Sequence, residues 1–254
     1  MAQQRVVLVT GGARGVGRGI AEAFLAAGDR VVVCARNAPE ALPVHDDSRA
    51  EFIAADVRKS ESVAAMMEEI GTRFGRLDVL VNNAGGSPFA EAAEASPRFH
   101  RAIVELNLLA PLELAQHANR LMQAQDGGGA IVFVGSISAV RPSPGTAAYG
   151  AAKAGIVSLT QSLAVEWGPR VRVVCVSPGL VETEQSHLHY GDAEGIRRVA
   201  DTIPLRRLAQ PREIGDACVW MSGPGAGYVS GSNLVIHGGG ERPSFLAEAN
   251  VNRE

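Results

Sequence analysis

The feature that most constrains the fold is an apolar run near the N-terminus that leads into a glycine-rich turn and a helix. Residues 6–10 read VVLVT, a pattern typical of a strand buried on both faces of a parallel sheet. GGARGVG follows at residues 11–17, and residues 18–27 predict a helix that Gly28 ends. Backbone N–H groups at such a helix start can receive a phosphate. The sequence therefore predicts nucleotide binding rather than a merely tight turn.

Strand-like and helix-like segments then alternate along most of the chain. Further strands are predicted at residues 31–35, 51–55, 77–81, 130–134, 171–176 and 233–237, and helices at 60–74, 97–125, 146–167 and 214–222. Residues 37–50 are predicted to be irregular because they are polar and contain Pro39 and Pro43. Residues 184–204 are also polar and irregular, and residues 241–254 form a C-terminal tail or a subunit contact. The alternation of strands and helices predicts an α/β fold with a parallel sheet.

Composition excludes several classes of protein. The chain has 254 residues, 46% of them hydrophobic, which is enough for one large core, and no apolar run approaches the roughly 20 residues that span a bilayer. A net charge of -3 without basic blocks argues against nucleic acid as the main partner. The N-terminus enters a strand without a leader, so we expect a cytoplasmic protein. Cys34, Cys175 and Cys218 read as reduced core residues. His187 and His189 lack a third ligand, so no metal site is expected.

Three residues point to acid-base chemistry. Tyr149 and Lys153 are four residues apart, so their side chains project from one face of the predicted helix. A phenol has an ordinary pKa of about 10, and a neighbouring cation favours its ionised form. Ser136 follows the predicted strand at 130–134, at the sheet edge where open α/β sheets bind ligands. Ser138 competes with Ser136 as the source of the hydroxyl.

The T-G-x-x-x-G-x-G pattern with fixed points Gly11, Gly15 and Gly17, together with Tyr149 and Lys153, resembles the short-chain dehydrogenase/reductase family. N-N-A-G at residues 82–85 and P-G-x-x-x-T at residues 178–183 resemble further strings of the family. The resemblance covers about residues 5–240 and is closest to the single-domain, 3-oxoacyl reductase-like type. It implies one doubly wound Rossmann domain at residues 1–240, with a seven-stranded parallel sheet between two helical layers. It also implies that residues 184–204, the most variable segment of the family, form a substrate-binding lid within this domain.

The resemblance also implies the roles of the catalytic residues. Ser136, the only serine at the family's thirteen-residue spacing from Tyr149, would hydrogen-bond the substrate oxygen. Tyr149 would transfer the proton, and Lys153 would hold the ribose and lower the pKa of Tyr149. Asn107 would open a kink in the helix at 97–125 and hold a water beside Lys153, with Pro111 favouring the distortion.

Most of the cofactor-binding residues follow from the same resemblance. The turn after the first strand would hold the pyrophosphate, and Asp56 would bind the adenine amino group. The N-A-G string at residues 83–85 would border the ribose. The Val181 backbone and the Thr183 hydroxyl would hold the nicotinamide carboxamide. The predicted cofactor-binding residues are Gly11, Arg14, Gly15, Val16, Gly17, Arg36, Asp56, Val57, Asn83, Ala84, Gly85, Tyr149, Lys153, Pro178, Gly179, Val181 and Thr183.

The choice of coenzyme depends on the end of the second strand. Ala35 stands where an acidic residue would bind the ribose 2′-hydroxyl of NAD(H), and Arg36 follows it. Arg14 is a second cation within reach, and two guanidinium groups suit a 2′-phosphate. NADP(H) is therefore predicted over NAD(H), although Asp46 or Asp47 could approach the ribose instead.

We therefore expect an enzyme that transfers a hydride between NADP(H) and a ketone or secondary alcohol, with the NAD(H)-dependent reaction as the alternative. A second alternative is a nucleotide-binding regulatory protein without catalysis; an epimerase or dehydratase fits less well because the chain is short. The substrate is a small molecule, and 3-oxoacyl thioesters, steroids and smaller ketones all remain open. Small residues along the 146–167 helix and the resemblance predict a homotetramer or a homodimer.

Overall fold

The computed structural model describes residues 4–248. Its strands are β1 (Val6–Thr10), β2 (Arg30–Ala35), β3 (Val44–His45), β4 (Ser48–Arg49), β5 (Glu51–Ala54), β6 (Val79–Asn82), β7 (Gly129–Val134), β8 (Val171–Pro178) and β9 (Asn233–Ile236). Its helices are α1 (Gly15–Ala26), α2 (Ser60–Phe74), α3 (Pro97–Val104), α4 (Ala110–Ala124), α5 (Ala147–Trp167), α6 (His187–Tyr190), α7 (Ala193–Asp201), α8 (Pro211–Ser222) and α9 (Phe245–Glu248). A π-helical turn, Glu105–Leu109, joins α3 to α4.

Seven strands form one parallel sheet in the order β5-β2-β1-β6-β7-β8-β9, which confirms the predicted doubly wound fold. Strand β1 lies in the middle, where Val7 pairs with Val31 of β2 on one side and Val79 of β6 on the other. The chain moves outward from β1 to β5 and then returns to β6. The carboxyl ends of β1 and β6 therefore border the switch point at which such sheets bind ligands.

Two hydrophobic layers cover the two faces of the sheet. One layer packs α2, α4 and α5 against the sheet through residues such as Met66, Leu114 and Ile156. The other packs α1 and α8 through Phe24, Ile214 and their neighbours. Successive residues of a strand point to opposite faces, so β1 contributes Leu8 to the first layer and Val7 to the second. These layers fix the positions of α1 and α5, the two helices that start at the predicted site.

The structure differs from the sequence prediction at residues 37–50, which are not wholly irregular. Strands β3 and β4 form a small antiparallel hairpin, with Val44 opposite Arg49 and His45 opposite Ser48. Asp46 in its turn has a φ of 48°, a left-handed conformation that aspartate tolerates better than most residues. Asp46 and Asp47 therefore form the turn of a hairpin and are not part of an irregular segment.

The prediction of an irregular segment at 184–204 is also wrong, because the segment contains α6 and α7. Asp192 caps α7 by accepting a hydrogen bond from Gly195 N at 2.9 Å. Arg197 then pairs with Glu194 and Asp201, three and four residues away on the same helix. Local capping and charge pairs stabilise a helix whose composition alone suggested a loop.

The segment after β9 crosses back over the carboxyl end of the sheet. Glu241 pairs with Arg141 at 3.0 Å, and the short helix α9 follows. The last part of the predicted tail, residues 249–254, lies outside the described residues.

Between residues 4 and 248, no helix is both long and apolar enough to cross a lipid bilayer. The same part of the chain holds no group of three or more metal-ligating side chains arranged around one point. Cys34, Cys175 and Cys218 are buried and unpaired, as predicted.

Candidate active site

A cavity of about 740 Å³ opens at the carboxyl ends of the central strands. Ser136 and every residue predicted to bind the cofactor line it, whereas Asn107 lies one layer behind. Its volume lies within the usual range for small-molecule and cofactor sites. The structure thus brings together residues that are up to 172 positions apart, from Gly11 to Thr183.

One end of the cavity is built from the glycine turn and the start of α1. Arg14 is the N-cap residue of the helix, and its side chain makes no capping hydrogen bond to the first N–H groups of α1. Gly11 and Gly15 have φ angles of 64° and 52°, which favour glycine. A Cβ at Gly17 would lie 2.3 Å from Gly11 O. Uncapped N–H groups beside glycines, which carry no side chain, form a cradle that fits the pyrophosphate of a dinucleotide.

The next part of the cavity is rich in arginine. Arg14 and Arg36 are exposed side chains that line it, and neither forms a salt bridge within residues 4–248. Asp56 also lines it, but its carboxylate accepts hydrogen bonds from the Arg58 guanidinium at 3.0 and 2.8 Å. Chiefly through this bond, with a smaller effect of Arg36, the pKa of Asp56 falls to about 2.

The two alternatives for the ribose, Asp46 and Asp47, form the turn of the β3–β4 hairpin and are not among the cavity-lining residues. The lining carboxylate that Arg36 influences, Asp56, is already paired with Arg58.

The N-N-A-G string holds the two central strands together. Asn83 Nδ2 donates to Thr10 O at 2.9 Å, and the backbone N–H groups of Asn83 and Ala84 both donate to Thr10 Oγ1 at 3.0 Å. Asn82 Nδ2 donates to Pro111 O at 3.1 Å. These bonds fix the backbone of Ala84 and Gly85 as a wall of the cavity.

At the other end, Ser136 and Tyr149 meet. Ser136 follows β7, and its Oγ accepts a hydrogen bond from Ser138 N at 3.1 Å. Tyr149 lies in the first turn of α5, and its phenol is near enough to the Ser136 hydroxyl for that group to influence its pKa. Ser138 instead interacts with Ser143 Oγ at 3.1 Å and does not line the cavity. The geometry therefore favours Ser136 over Ser138 as the hydroxyl that faces a ligand.

Lys153 lies one helical turn after Tyr149 and is 4% exposed. Its Nζ donates to Val134 O at 2.7 Å and lies 5.6 Å from the centre of the Tyr149 ring. Burial lowers the pKa of Lys153 to about 8.

The pKa of Tyr149 does not follow the sequence prediction. Burial raises it, and the nearby Ser136 hydroxyl opposes this rise only in part. The prediction considered the charge of Lys153 but not the desolvation of the phenol, which is the larger effect in the protein alone.

Asn107 is fully buried in the π-helical turn, which confirms the predicted distortion of this helix. Its Nδ2 donates to Ile103 O at 2.9 Å and Gly86 O at 3.0 Å, and its Oδ1 accepts from Gly86 N at 2.9 Å. A Cβ at Gly85 would lie 2.6 Å from Asn107 Oδ1 and 3.6 Å from Lys153 Nζ. Asn107 thus holds the backbone behind the cavity, close to the lysine.

The last group of predicted residues lies at the end of β8 and just after it, from Pro178 to Thr183. Gly179 N donates to Ile236 O at 2.7 Å, and a Cβ at Gly179 would lie 2.8 Å from the Cβ of His237. Val181 forms an isolated bridge with Ala209. Thr183 N donates to Ser186 Oγ at 2.9 Å, which leads the chain from the cavity into α6.

Sequence reasoning missed several polar residues that line the cavity. They are Asn37, Arg58, Glu184, Gln185 and His189. The sequence did indicate Arg58, since it follows the predicted site residue Asp56 by two positions. The sequence did not indicate Glu184, Gln185 and His189 of the lid, because nothing in a variable polar segment shows which side chains face inward.

A family model described as "Enoyl-(Acyl carrier protein) reductase" matches residues 11–241. Among curated relatives, an "Uncharacterized short-chain type dehydrogenase/reductase" of Sinorhizobium fredii is 37% identical over 92% of this chain. The aligned part spans 43% of that relative's length. A "3-oxoacyl-[acyl-carrier-protein] reductase" of Vibrio cholerae is 34% identical, with 92% of this chain and 96% of the relative covered.

The fold is also similar to solved structures. The ligand-free aldohexose dehydrogenase of Thermoplasma acidophilum superimposes with a TM-score of 0.85 at 27% identity. The match covers 93% of this chain and 94% of that one. Together with the cavity and the matched family model, these likenesses show that the chain belongs to the short-chain dehydrogenase/reductase family of NAD(P)-dependent oxidoreductases, whose dehydrogenases act on alcohol and ketone substrates.

Proposed function

We propose that this protein interconverts a ketone, such as a 3-oxo group, and a secondary alcohol, and that it uses NADP(H) in preference to NAD(H). The main support is that Ser136, Tyr149 and Lys153 converge in the same cavity as the uncapped start of α1. The coenzyme would donate or accept the hydride at its nicotinamide ring.

Each catalytic residue would have one task. Ser136 would donate a hydrogen bond to the substrate oxygen and stabilise the negative charge that develops there. Tyr149, which lines the cavity beside Ser136, would give its proton to that oxygen in reduction and take it back in oxidation. Lys153 would bind the ribose hydroxyls, and its charge would oppose the effect of burial on the phenol. Asn107 would hold a water that returns the proton.

The walls of the cavity would orient the coenzyme. The turn from Gly11 to Gly17 would bind the pyrophosphate, and Asp56 and Val57 the adenine. Asn83, Ala84 and Gly85 would border the ribose. Pro178, Gly179, Val181 and Thr183 would hold the nicotinamide carboxamide.

The preference for NADP(H) is supported by charge. Arg14 and Arg36 line the cavity without an acidic partner in the described chain, so both guanidinium groups can bind a 2′-phosphate without breaking a salt bridge. The carboxylate of Asp56 is paired with Arg58, so it opposes a phosphate less than a free carboxylate would.

A homotetramer, or a homodimer, is also proposed. Ala151 and Ala154 of α5 are exposed small residues, and Val165 on the same helix is 85% exposed. Such a face suits a second copy of the chain, and light scattering would measure the mass of the oligomer.

The three buried free cysteines support a reducing, cytoplasmic location.

The test is NADPH oxidation with a panel of ketones, alongside NADPH binding followed by fluorescence. Turnover of at least one ketone supports the proposal. Tight NADPH binding without turnover of any carbonyl or alcohol would instead favour the alternative of a regulatory nucleotide-binding protein.

A further inference from the structure

The Asp56 carboxylate and the Arg58 guanidinium form a bidentate ion pair in the wall of the cavity. Arg58 Nε donates to Asp56 Oδ1 at 3.0 Å, and Arg58 Nη2 donates to Asp56 Oδ2 at 2.8 Å. The backbone N–H of Arg58 adds a third bond to Oδ1 at 3.1 Å. A planar guanidinium that meets both oxygens of a carboxylate fixes the orientation of both groups.

The backbone at Asp56 is held in place as well. Asp56 N donates to Ser62 Oγ at 3.1 Å, and Asp56 O accepts a hydrogen bond from Lys59 N at 3.0 Å. Ser62 belongs to the first turn of α2. The turn that carries the ion pair is therefore tied to the start of a helix, and the pair keeps one position in the cavity wall.

Arg36 lies beside this pair because of the register between β2 and β5. Ala35 pairs with Ala54, and Ala55 N donates to Ala35 O at 3.0 Å. Arg36 and Asp56 therefore follow two neighbouring strands at the same edge of the sheet, and neighbouring strands lie only about 4.8 Å apart. Both side chains line the cavity.

The two guanidinium groups thus compete for one carboxylate. The bond to Arg58 is the main reason why the pKa of Asp56 falls to about 2, and the charge of Arg36 adds a smaller effect. Arg36 nevertheless forms no salt bridge in the described part of the chain, whereas both oxygens of Asp56 accept bonds from Arg58. Without Arg58, the ionised carboxylate would attract the Arg36 guanidinium and hold it away from a bound phosphate.

On these grounds we propose that Arg58 is a specificity-determining residue for the coenzyme, because by occupying the Asp56 carboxylate it leaves Arg36 free to bind the 2′-phosphate of NADP(H). Arg58 is a positioning residue in this role: it acts through Asp56 and does not itself contact the phosphate. The inference rests on the proposed use of NADP(H), and it adds a third residue to Arg14 and Arg36 in the choice of coenzyme.

The test is a double-mutant cycle in which fluorescence gives the dissociation constants of NADPH and NADH for each variant. Arg58→Met should lower the preference for NADPH over NADH about three- to tenfold, because the released carboxylate repels the phosphate and pairs with Arg36. Asp56→Asn removes the carboxylate, so it should keep the wild-type preference or raise it, although both coenzymes bind more weakly. The double variant should show a preference within about twofold of that of Asp56→Asn alone.

Arg212→Met is the control, because Arg212 is an exposed arginine that pairs with Asp216 at 2.7 Å and neither residue lines the cavity. Its preference should equal that of the wild type. The preference is a ratio measured within each variant, so a general loss of stability does not change it.

An unchanged preference in Arg58→Met overturns the inference. An equal loss of preference when Arg58→Met is added to Asp56→Asn also overturns it, because Arg58 would then act on the phosphate directly. A wild-type protein that binds NADH as tightly as NADPH refutes the coenzyme preference and the inference together. Turnover of a ketone with either coenzyme would still leave the oxidoreductase function intact.

Discussion

The preference for NADP(H) can be tested by removing the two arginines that line the adenosine side of the cavity. Arg14→Ala and Arg36→Ala each delete one guanidinium group that has no salt bridge to lose within the described chain. The change in free energy of binding should therefore report the contact with the 2′-phosphate rather than a loss of internal structure.

The expected magnitude follows from the exposure of both side chains. A hydrogen bond to a charged group contributes about 1.5–3 kcal/mol, and an exposed position reduces this through screening. About 1–2 kcal/mol per arginine corresponds to roughly a 5–30-fold loss in kcat/KM for NADPH. NADH lacks the phosphate, so kcat/KM for NADH should change by less than about threefold on the same scale. The effect should shrink as salt is added.

Steady-state kinetics with both coenzymes, at low and high salt, would measure the effect. Arg98→Ala is a suitable control, because Arg98 is an exposed arginine of α3 that does not line the cavity. If wild-type protein uses NADH as efficiently as NADPH, or if the two variants lose both coenzymes equally, the assignment of Arg14 and Arg36 is refuted.

Three further predictions follow from the packing around the site. A Cβ at Gly17 would lie 2.3 Å from a backbone oxygen, so Gly17→Ala should weaken NADPH binding and cost about 1–3 kcal/mol in urea unfolding; Gly71→Ala, whose nearest neighbour would lie at 3.7 Å, should do neither. Asn107→Ala leaves the partly buried N–H and carbonyl of Gly86 and the buried carbonyl of Ile103 without their Asn107 partner, so its free energy of unfolding should fall by about 2 kcal/mol or more, and an unchanged value would contradict the role of these bonds. Burial lowers the pKa of Lys153 from 10.5 to about 8, so the unfolded state binds more protons between these pH values and stability should rise with pH there, by up to about 3 kcal/mol. Between about pH 8 and about pH 10, the free energy of unfolding of the wild type in urea should rise relative to that of Lys153→Met. Parallel curves of unfolding free energy against pH would contradict the burial of a charged amine.

Local chemistry explains which parts of the site could be predicted from the sequence. The turn at Gly11–Gly17 needs glycine for reasons of backbone geometry, and Tyr149 and Lys153 share a helix face because they are one turn apart. The seven strands were recognisable because buried parallel strands read as continuous apolar runs. At these positions local backbone geometry and tertiary packing require the same residue types.

The remaining features depend on neighbours that are distant in sequence. Asp56 orients the guanidinium of Arg58, but the place of Arg58 and of His189 in the cavity wall depends on how distant segments of the chain pack together. The direction of the Tyr149 pKa shift was predicted wrongly because the extent of desolvation depends on the whole surrounding fold. Neither packing nor burial of this kind can be read from residue spacing.

The central claim is that Tyr149 transfers the proton to and from a substrate held beside the coenzyme. The most direct measurement is the turnover of Tyr149→Phe together with its affinity for NADPH. The account predicts that kcat falls by about 100-fold or more, while the dissociation constant of NADPH changes little. A variant that keeps activity within about tenfold of wild type would contradict the claim.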